Sequence, residues 1–389
     1  MIVDRLRVVG SPLTNKVMAG ELSRLAVRAL GRRPPEPRKA GTGTLVYPFD
    51  PGLAMVACSY LRTATRAVWD LYASSATRLE PLYDDLVADV AADARCWLRD
   101  GDAISVATGN VAEFAAGERQ VVGTVKNAIL DGAARRGLRV TVDPDRPDVH
   151  VVARLDDDGS MVVGADLGGG SLSQRGWRRA AGAAPLREHV AAVLVMLGRF
   201  DPRRDVLLDP MCGSGTIAIE AALMARGAPR LPHGLPPGLD LEPLADTRRD
   251  DYLFGDADPL IIGADRDLDA LIAAKDNAAR AAMTGHVVWQ RGDVTQLDPD
   301  DIAALAADRG KTADHGLILS NPPYGERLDD ADLRLFYGAL GDVCHGFRGW
   351  RGGFLVVNEE FERAFGGRPT IKKPLSNGNL RGYFFGYEF

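Results

Sequence analysis

The run Asn321-Pro322-Pro323-Tyr324 sets an amide side chain, two consecutive prolines and an aromatic ring at the end of an apolar stretch, Leu317 to Ser320. Neither proline has a backbone N–H and both restrict the chain, so the carbonyl of Pro322 can be held facing outward as an acceptor. Asn321 adds a second carbonyl oxygen from its side chain. Two acceptors aimed at one planar NH2 group draw its hydrogens out of the plane and localise the nitrogen lone pair, which turns the amine into a nucleophile. Tyr324 can stack on the face of an extruded base. The plainer alternative is a rigid Pro-Pro turn with a packed tyrosine.

Upstream, Asp209-Pro-Met-Cys-Gly-Ser-Gly-Thr216 follows an apolar run and opens a helical one. Glycines in that context let backbone N–H groups approach a ligand, although such turns also serve tight strand-to-helix packing. A carboxylate at position 209 suits a cationic amino group better than a pyrophosphate. Asp265 ends the next apolar run, where an acidic residue can accept from ribose hydroxyls. Asp267 and Asp269 read as cap and first-turn residues of the following helix. Asp293 closes a third run and is either an acceptor for an adenine amino group or a turn aspartate.

These positions need a scaffold. With 389 residues the chain is long enough for two or three units, and 46% apolar with 26% charged residues places it among globular proteins. A net charge of −6 argues against a strongly basic nucleic-acid binder but leaves room for a local basic face. The four cysteines (58, 96, 212 and 344) and the six histidines show no metal-ligand spacing, so no metal is expected. No apolar run is long enough for a membrane span, and the N-terminus lacks the apolar core of a secretory signal, so a cytoplasmic location is expected.

The first stretch reads as strand (Leu6 to Val9), helix (Asn15 to Leu30) and strand (Thr44 to Phe49), followed by Ala54 to Leu71, whose type stays open. Helical spacing runs from Leu79 to Trp97 and from Val121 to Arg136, around a strand at Ile104 to Ala107; short β-branched runs follow at Val140, Val149 and Met161. Gly168-Gly-Gly-Ser is the linker. Pro185 occupies a helix's first turn, and the helix continues from Leu186 to Leu197. Strands at 206–208, 260–263, 287–290 and 316–320 then alternate with helices at 216–225 and 268–283, the rhythm of a doubly wound parallel sheet, with late strands at 354–357 and 383–389. The interruption from Arg226 to Pro259 reads as a lid or a solvated insertion near the carboxyl edge.

In order, these motifs resemble the class I methyltransferases, and the Asn-Pro-Pro-Tyr loop resembles their amino-directed branch of guanine-N2, adenine-N6 and glutamine-N5 enzymes. Ser171-Leu-Ser-Gln-Arg-Gly-Trp-Arg178, Ala184-Pro-Leu-Arg-Glu188, Asn321-Pro-Pro-Tyr-Gly-Glu-Arg-Leu328 and Ser376-Asn-Gly-Asn-Leu are similar to the THUMP-domain RNA guanine-N2 methyltransferases, nearest the bacterial 23S rRNA group. The resemblance implies an α/β protein with a ferredoxin-like unit (1–70), a THUMP RNA-binding domain (71–167) and a Rossmann-like methyltransferase domain (168–389) whose mostly parallel sheet has an antiparallel last strand. Val125-Lys-Asn-Ala-Ile-Leu-Asp131 resembles the THUMP helix, with Asn127 where the family more often has Asp. It implies S-adenosylmethionine as cofactor, held by Pro185, Asp209, Met211, Cys212, Gly213, Ser214, Gly215, Thr216, Glu220, Asp265, Arg266, Asp293 and Val294. Asn321, Pro322, Pro323 and Tyr324 would orient the target guanine. Lys126, Arg135, Arg175, Lys372 and Lys373 would contact the phosphates of RNA, ribosomal or transfer. The rival readings are a glutamine-N5 or adenine-N6 methyltransferase, and a non-catalytic RNA-binding protein with this fold.

Overall fold

Short alternating runs build two sheets. The computed structural model describes residues 1–179, 186–230, 236–323, 330–358, 360–378 and 380–389. The chain divides into two units, the first formed by Met1–Gly10, Met18–Leu172 and Gly234–Asp250, the second by Ser11–Val17, Ser173–His233 and Asp251–Phe389.

The first unit holds strands β1 (Ile2–Gly10), β2 (Arg38–Lys39), β3 (Thr44–Pro48), β4 (Ala64–Ser74), β5 (Ala103–Gly109), β6 (Thr141–Val142), β7 (Val149–Leu155) and β8 (Met161–Asp166), ordered β2-β3-β1-β4-β8-β7-β5-β6. Strands from the two stretches that the sequence separates at residue 70 therefore share one sheet, because β4 pairs antiparallel with β8. Helices α1 (Asn15–Leu30), α2 (Pro51–Ser59), α3 (Leu79–Ala92) and α4 (Glu118–Arg135) accompany it. The stretch from Ala54 to Leu71 resists assignment because it contains most of α2 and the start of β4. Asp50 caps α2 by accepting from Leu53 N at 2.8 Å, and Leu53 to Ser59 are all buried, which erases any amphipathic period. Trp97, at helical spacing from α3, lies beyond it and donates its indole N–H to Tyr72 at 2.8 Å.

The insertion behaves differently from a solvated loop or a lid. Its α7 (Glu242–Ala245) belongs to the first unit, where Leu239 and Leu244 are fully buried and Gly238 N donates to Leu167 O at 3.1 Å. A Cβ on Gly238 would meet Leu167 Cα at 2.2 Å, so only glycine allows this approach.

The second unit contains α5 (Glu188–Leu197), β9 (Val206–Asp209), α6 (Thr216–Arg226), β10 (Ile261–Asp265), α8 (Leu268–Arg280), β11 (Val288–Arg291), α9 (Pro299–Ala307), β12 (Gly316–Ser320), α10 (Asp330–Gly346), β13 (Arg351–Val356), α11 (Phe361–Phe365), β14 (Ile371–Asn377) and β15 (Leu380–Glu388). The sheet order is β11-β10-β9-β12-β13-β15-β14. The first five strands are parallel; β15 runs antiparallel to both neighbours. Because the insertion follows α6 and precedes β10, it leaves from the amino side of the parallel strands, not from the carboxyl edge that the sequence suggests. Alternation splits the core in two: Leu207, Leu317 and Leu319 pack with α5 and α6, while Val206, Leu208 and Ile318 pack with Leu333, Tyr337 and Leu340 of α10. Order reverses between β9 and β12, the position at which open α/β sheets place a site.

Candidate active site

Asp209 and Ser320 are the last residues of β9 and β12, on either side of that reversal. Both are buried, and Ser320 Oγ donates to Asp209 Oδ1 at 2.8 Å, with Met211 N a second donor at 3.3 Å. Burial, more than the neighbouring Asp265, pushes the Asp209 carboxyl up to about 7. Near neutrality this group is poised between its two forms, so a cation placed beside it favours ionisation.

The glycine loop passes from β9 into α6 through two left-handed residues, Gly213 (φ 50°) and Gly215 (φ 83°). A Cβ on Gly215 would stand 2.6 Å from Trp289, whereas one on Gly213 would meet no atom within 4 Å. Gly215 allows close packing, and Gly213 leaves a cradle open to a ligand. No side chain caps α6, so its first N–H groups remain available to an anionic group. Behind the loop, the buried Asn277 donates from Nδ2 to Ser214 O at 3.1 Å. Cys212 is a buried thiol whose pKa burial raises, and Met211 is half-buried.

Asp265 accepts from Gly213 N at 2.8 Å and from Asp267 N at 3.0 Å, which ties the ends of β10 and the glycine loop together. A carboxylate has about four lone-pair sites, so hydroxyls can still be accepted there. Asp267 caps α8, as expected, by accepting from Asp269 N at 2.9 Å. Arg266 is exposed and Val294 buried. Asp293 is a turn aspartate in form: its Oδ1 takes both Thr295 N (2.9 Å) and Thr295 Oγ1 (2.8 Å), bonds that lower its pKa.

Beyond Ser320, Asn321 is partly buried, yet its Oδ1 is inaccessible to solvent and has no hydrogen-bond partner among the described residues. Pro322 is buried, and the Pro323 carbonyl accepts from Tyr337 Oη at 2.9 Å. An unpaired buried acceptor costs stability unless something outside the fold pairs with it. Tyr324 and Pro185, two further expected site residues, lie outside the described residues.

The expected contact of Arg175 with RNA is corrected. Glu220, expected at the cofactor, and Arg175, expected on RNA, are paired with one another: Nε to Oε1 is 3.2 Å, with side chains 2% and 0% exposed. A guanidinium sealed against a carboxylate inside the fold cannot reach a phosphate. Arg178, three residues on, bonds Thr216 Oγ1 at 2.9 Å and Glu188 at 3.2 Å, so this stretch braces α5 and α6 from behind. Of the other basic candidates, Arg135 is exposed and Lys126 half-buried on α4. Lys372 pairs with Glu362, and Lys373 is half-buried, its pKa lowered by burial and then by Lys16. Sequence reasoning missed Ser320, Asn277 and Tyr337, which hydrogen-bond the site's loops or strand ends, and Trp289, which packs against Gly215.

A parallel sheet closed by an antiparallel strand, with acidic strand ends and an Asn-Pro-Pro turn at its reversal, is the class I methyltransferase fold. The UPF0020 (RMKL-like) methyltransferase domain matches residues 175–384, and the chain belongs to that family. It is 32% identical over 355 residues to a ribosomal RNA large subunit methyltransferase K/L of Alteromonas mediterranea, covering 88% of this chain and 48% of that protein. The chain spans less than half the length of the first curated relatives it matches. Among solved structures it is similar to a predicted N6-adenine-specific DNA methylase from Listeria monocytogenes (TM-score 0.79, 25% identity, 99% and 96% of the two chains). It also shares its fold with SMU.472, solved with SAH (TM-score 0.80, 23% identity, 100% and 98%). Among the described residues no helix is long and apolar enough to cross a membrane.

Proposed function

We propose that this chain transfers a methyl group from S-adenosylmethionine to the exocyclic N2 of a guanine in RNA, with large-subunit ribosomal RNA as the substrate. The observation that carries the reading is Asn321 Oδ1: a buried acceptor, unpaired among the described residues, next in the chain to Ser320, which bonds the carboxylate that ends β9. An amine entering there satisfies it. The family and the name of the Alteromonas relative support RNA over other amines. The Listeria protein's description is the observation that favours adenine N6 as a second reading.

The residues present fit the cofactor. Asp209 and the N-terminus of α6 suit its amino and carboxylate groups, the open face of Gly213 gives it room, and Asp265 and the second oxygen of Asp293 offer acceptors for ribose and adenine. When bound, S-adenosylmethionine supplies an electrophilic methyl on a sulfonium. The chain's own work is to hold the base in line and to bind its amine through Asn321 and Pro322, acceptors that favour the nitrogen as it becomes a nucleophile. The proton leaves the amine for solvent after transfer. Lys126, Arg135, Lys372 and Lys373 are the remaining candidates for phosphate contacts.

Nucleoside mass spectrometry of ribosomal and transfer RNA from a deletion strain tests this reading. Loss of N2-methylguanosine from the large-subunit RNA is expected; an unchanged nucleoside profile, or loss of N6-methyladenosine instead, rejects it.

A further inference from the structure

Two hydrogen bonds fasten the segment Asn321-Pro322-Pro323, one at each end. At its root Ser320 Oγ donates to Asp209, and both residues are buried. At the far end Tyr337 Oη, from α10, donates to the Pro323 carbonyl at 2.9 Å. Tyr337 is itself held: it is wholly buried, its ring meets Phe361 edge-on at 5.0 Å, and Leu333 and Leu340 share its cluster. Burial raises its pKa to about 12, so the hydroxyl remains a donor at neutral pH. Between the two fasteners lies the unpaired Asn321 Oδ1. Prolines offer no N–H, so the segment has no backbone donors at 322 and 323 with which to orient its own carbonyls. Their direction must be imposed from outside.

We infer that Tyr337 and Ser320 are positioning residues for amine capture: Tyr337 takes up the Pro323 carbonyl, Ser320 anchors the loop on Asp209, and the Pro322 carbonyl and Asn321 Oδ1 stay aimed at one incoming NH2 group. This rests on the amino-methylation reading above. Neither residue touches the base. Tyr337 acts through the loop alone, so losing its hydroxyl should slow transfer while leaving cofactor affinity nearly intact; losing that of Ser320 also takes a donor from Asp209.

The test uses the full chain, S-adenosylmethionine and RNA extracted from a deletion strain. Single-turnover transfer, half-saturating RNA concentration, cofactor affinity by calorimetry and melting temperature are measured for Tyr337→Phe, Ser320→Ala, Ser320→Thr and Asn321→Ala. Tyr337→Phe should keep cofactor affinity within about twofold and half-saturating RNA within about threefold, while transfer slows about ten- to a hundred-fold, the scale of a small misplacement of reacting groups. Ser320→Thr, which keeps the hydroxyl, should recover most of the rate lost in Ser320→Ala. A wild-type rate in Tyr337→Phe and Ser320→Ala, with Asn321→Ala inactive, overturns the positioning role and leaves the reading of the loop standing. Wild-type rates in all of them overturn both. A large drop in melting temperature for Tyr337→Phe moves the decision to the Ser320 pair.

Discussion

Ser320 donates 2.8 Å to the buried carboxylate of Asp209, which joins the turn expected to hold the amine to the strand that opens the glycine loop. The two halves of the site are thereby one hydrogen-bonded object, and each can be perturbed separately.

Asp209 makes the fold sensitive to pH. The unfolded chain releases this proton near the ordinary carboxylate value of about 4, the folded chain at about 7. Between those values the folded state holds more proton, so stability falls as pH rises and the full cost is present above 7. Asp209→Asn removes the titration while keeping an acceptor for Ser320. In thermal or denaturant melts without cofactor, the variant should gain on wild type between pH 5 and pH 8, by on the order of 2 kcal/mol. A gap independent of pH contradicts the assignment.

The two glycines of the loop should separate packing from binding. Gly215→Ala drives a methyl into Trp289 and Ala274 and should lower stability by about 1–3 kcal/mol through overpacking. Gly213→Ala meets no atom of the protein and costs only the strain of φ 50°, about 1 kcal/mol. Calorimetry with S-adenosylmethionine should nevertheless find its binding strongly weakened, because the methyl projects into the cradle. Normal affinity in Gly213→Ala would place the cofactor elsewhere.

Asp265→Ala should weaken S-adenosylmethionine at least tenfold, since it removes an acceptor and also releases Gly213 N. Transfer at saturating cofactor should fall much less. An unchanged dissociation constant would refute the ribose assignment.

Arg175→Ala should act on folding. Removing the guanidinium breaks a buried ion pair with Glu220, a change worth about 3–5 kcal/mol. Denaturant melts check this, and the salt dependence of RNA binding in the surviving folded protein should match wild type. A shallower salt slope with normal stability would restore Arg175 to the RNA surface.

How far the sequence reaches is visible at particular residues. Asp209, Asp265, Asp293 and Asn321 are legible because each ends a short apolar run, and strand order then brings those ends to one edge. The resemblance along the chain gave the family, since the match over residues 175–384 includes those same loops. Tyr337 and Asn277 were not legible: each is a polar residue on a helix, and only the packing of α10 and α8 brings it to a loop carbonyl. Arg175 was misread because local pattern does not report burial, and its partner lies 45 residues away. The strand β14 was hidden by Lys372, Lys373 and Pro374, a composition that suits an edge strand but lacks an apolar alternation.

The most direct measurement is nucleoside mass spectrometry of deletion-strain large-subunit RNA after incubation with the purified chain and methyl-labelled S-adenosylmethionine. The label should appear as N2-methylguanosine with wild-type protein and fall at least a hundredfold with Asn321→Ala, whose cofactor affinity stays normal. Label on another nucleoside, or equal labelling by Asn321→Ala, would contradict the role of the Asn321-Pro322-Pro323 turn in presenting a guanine amine.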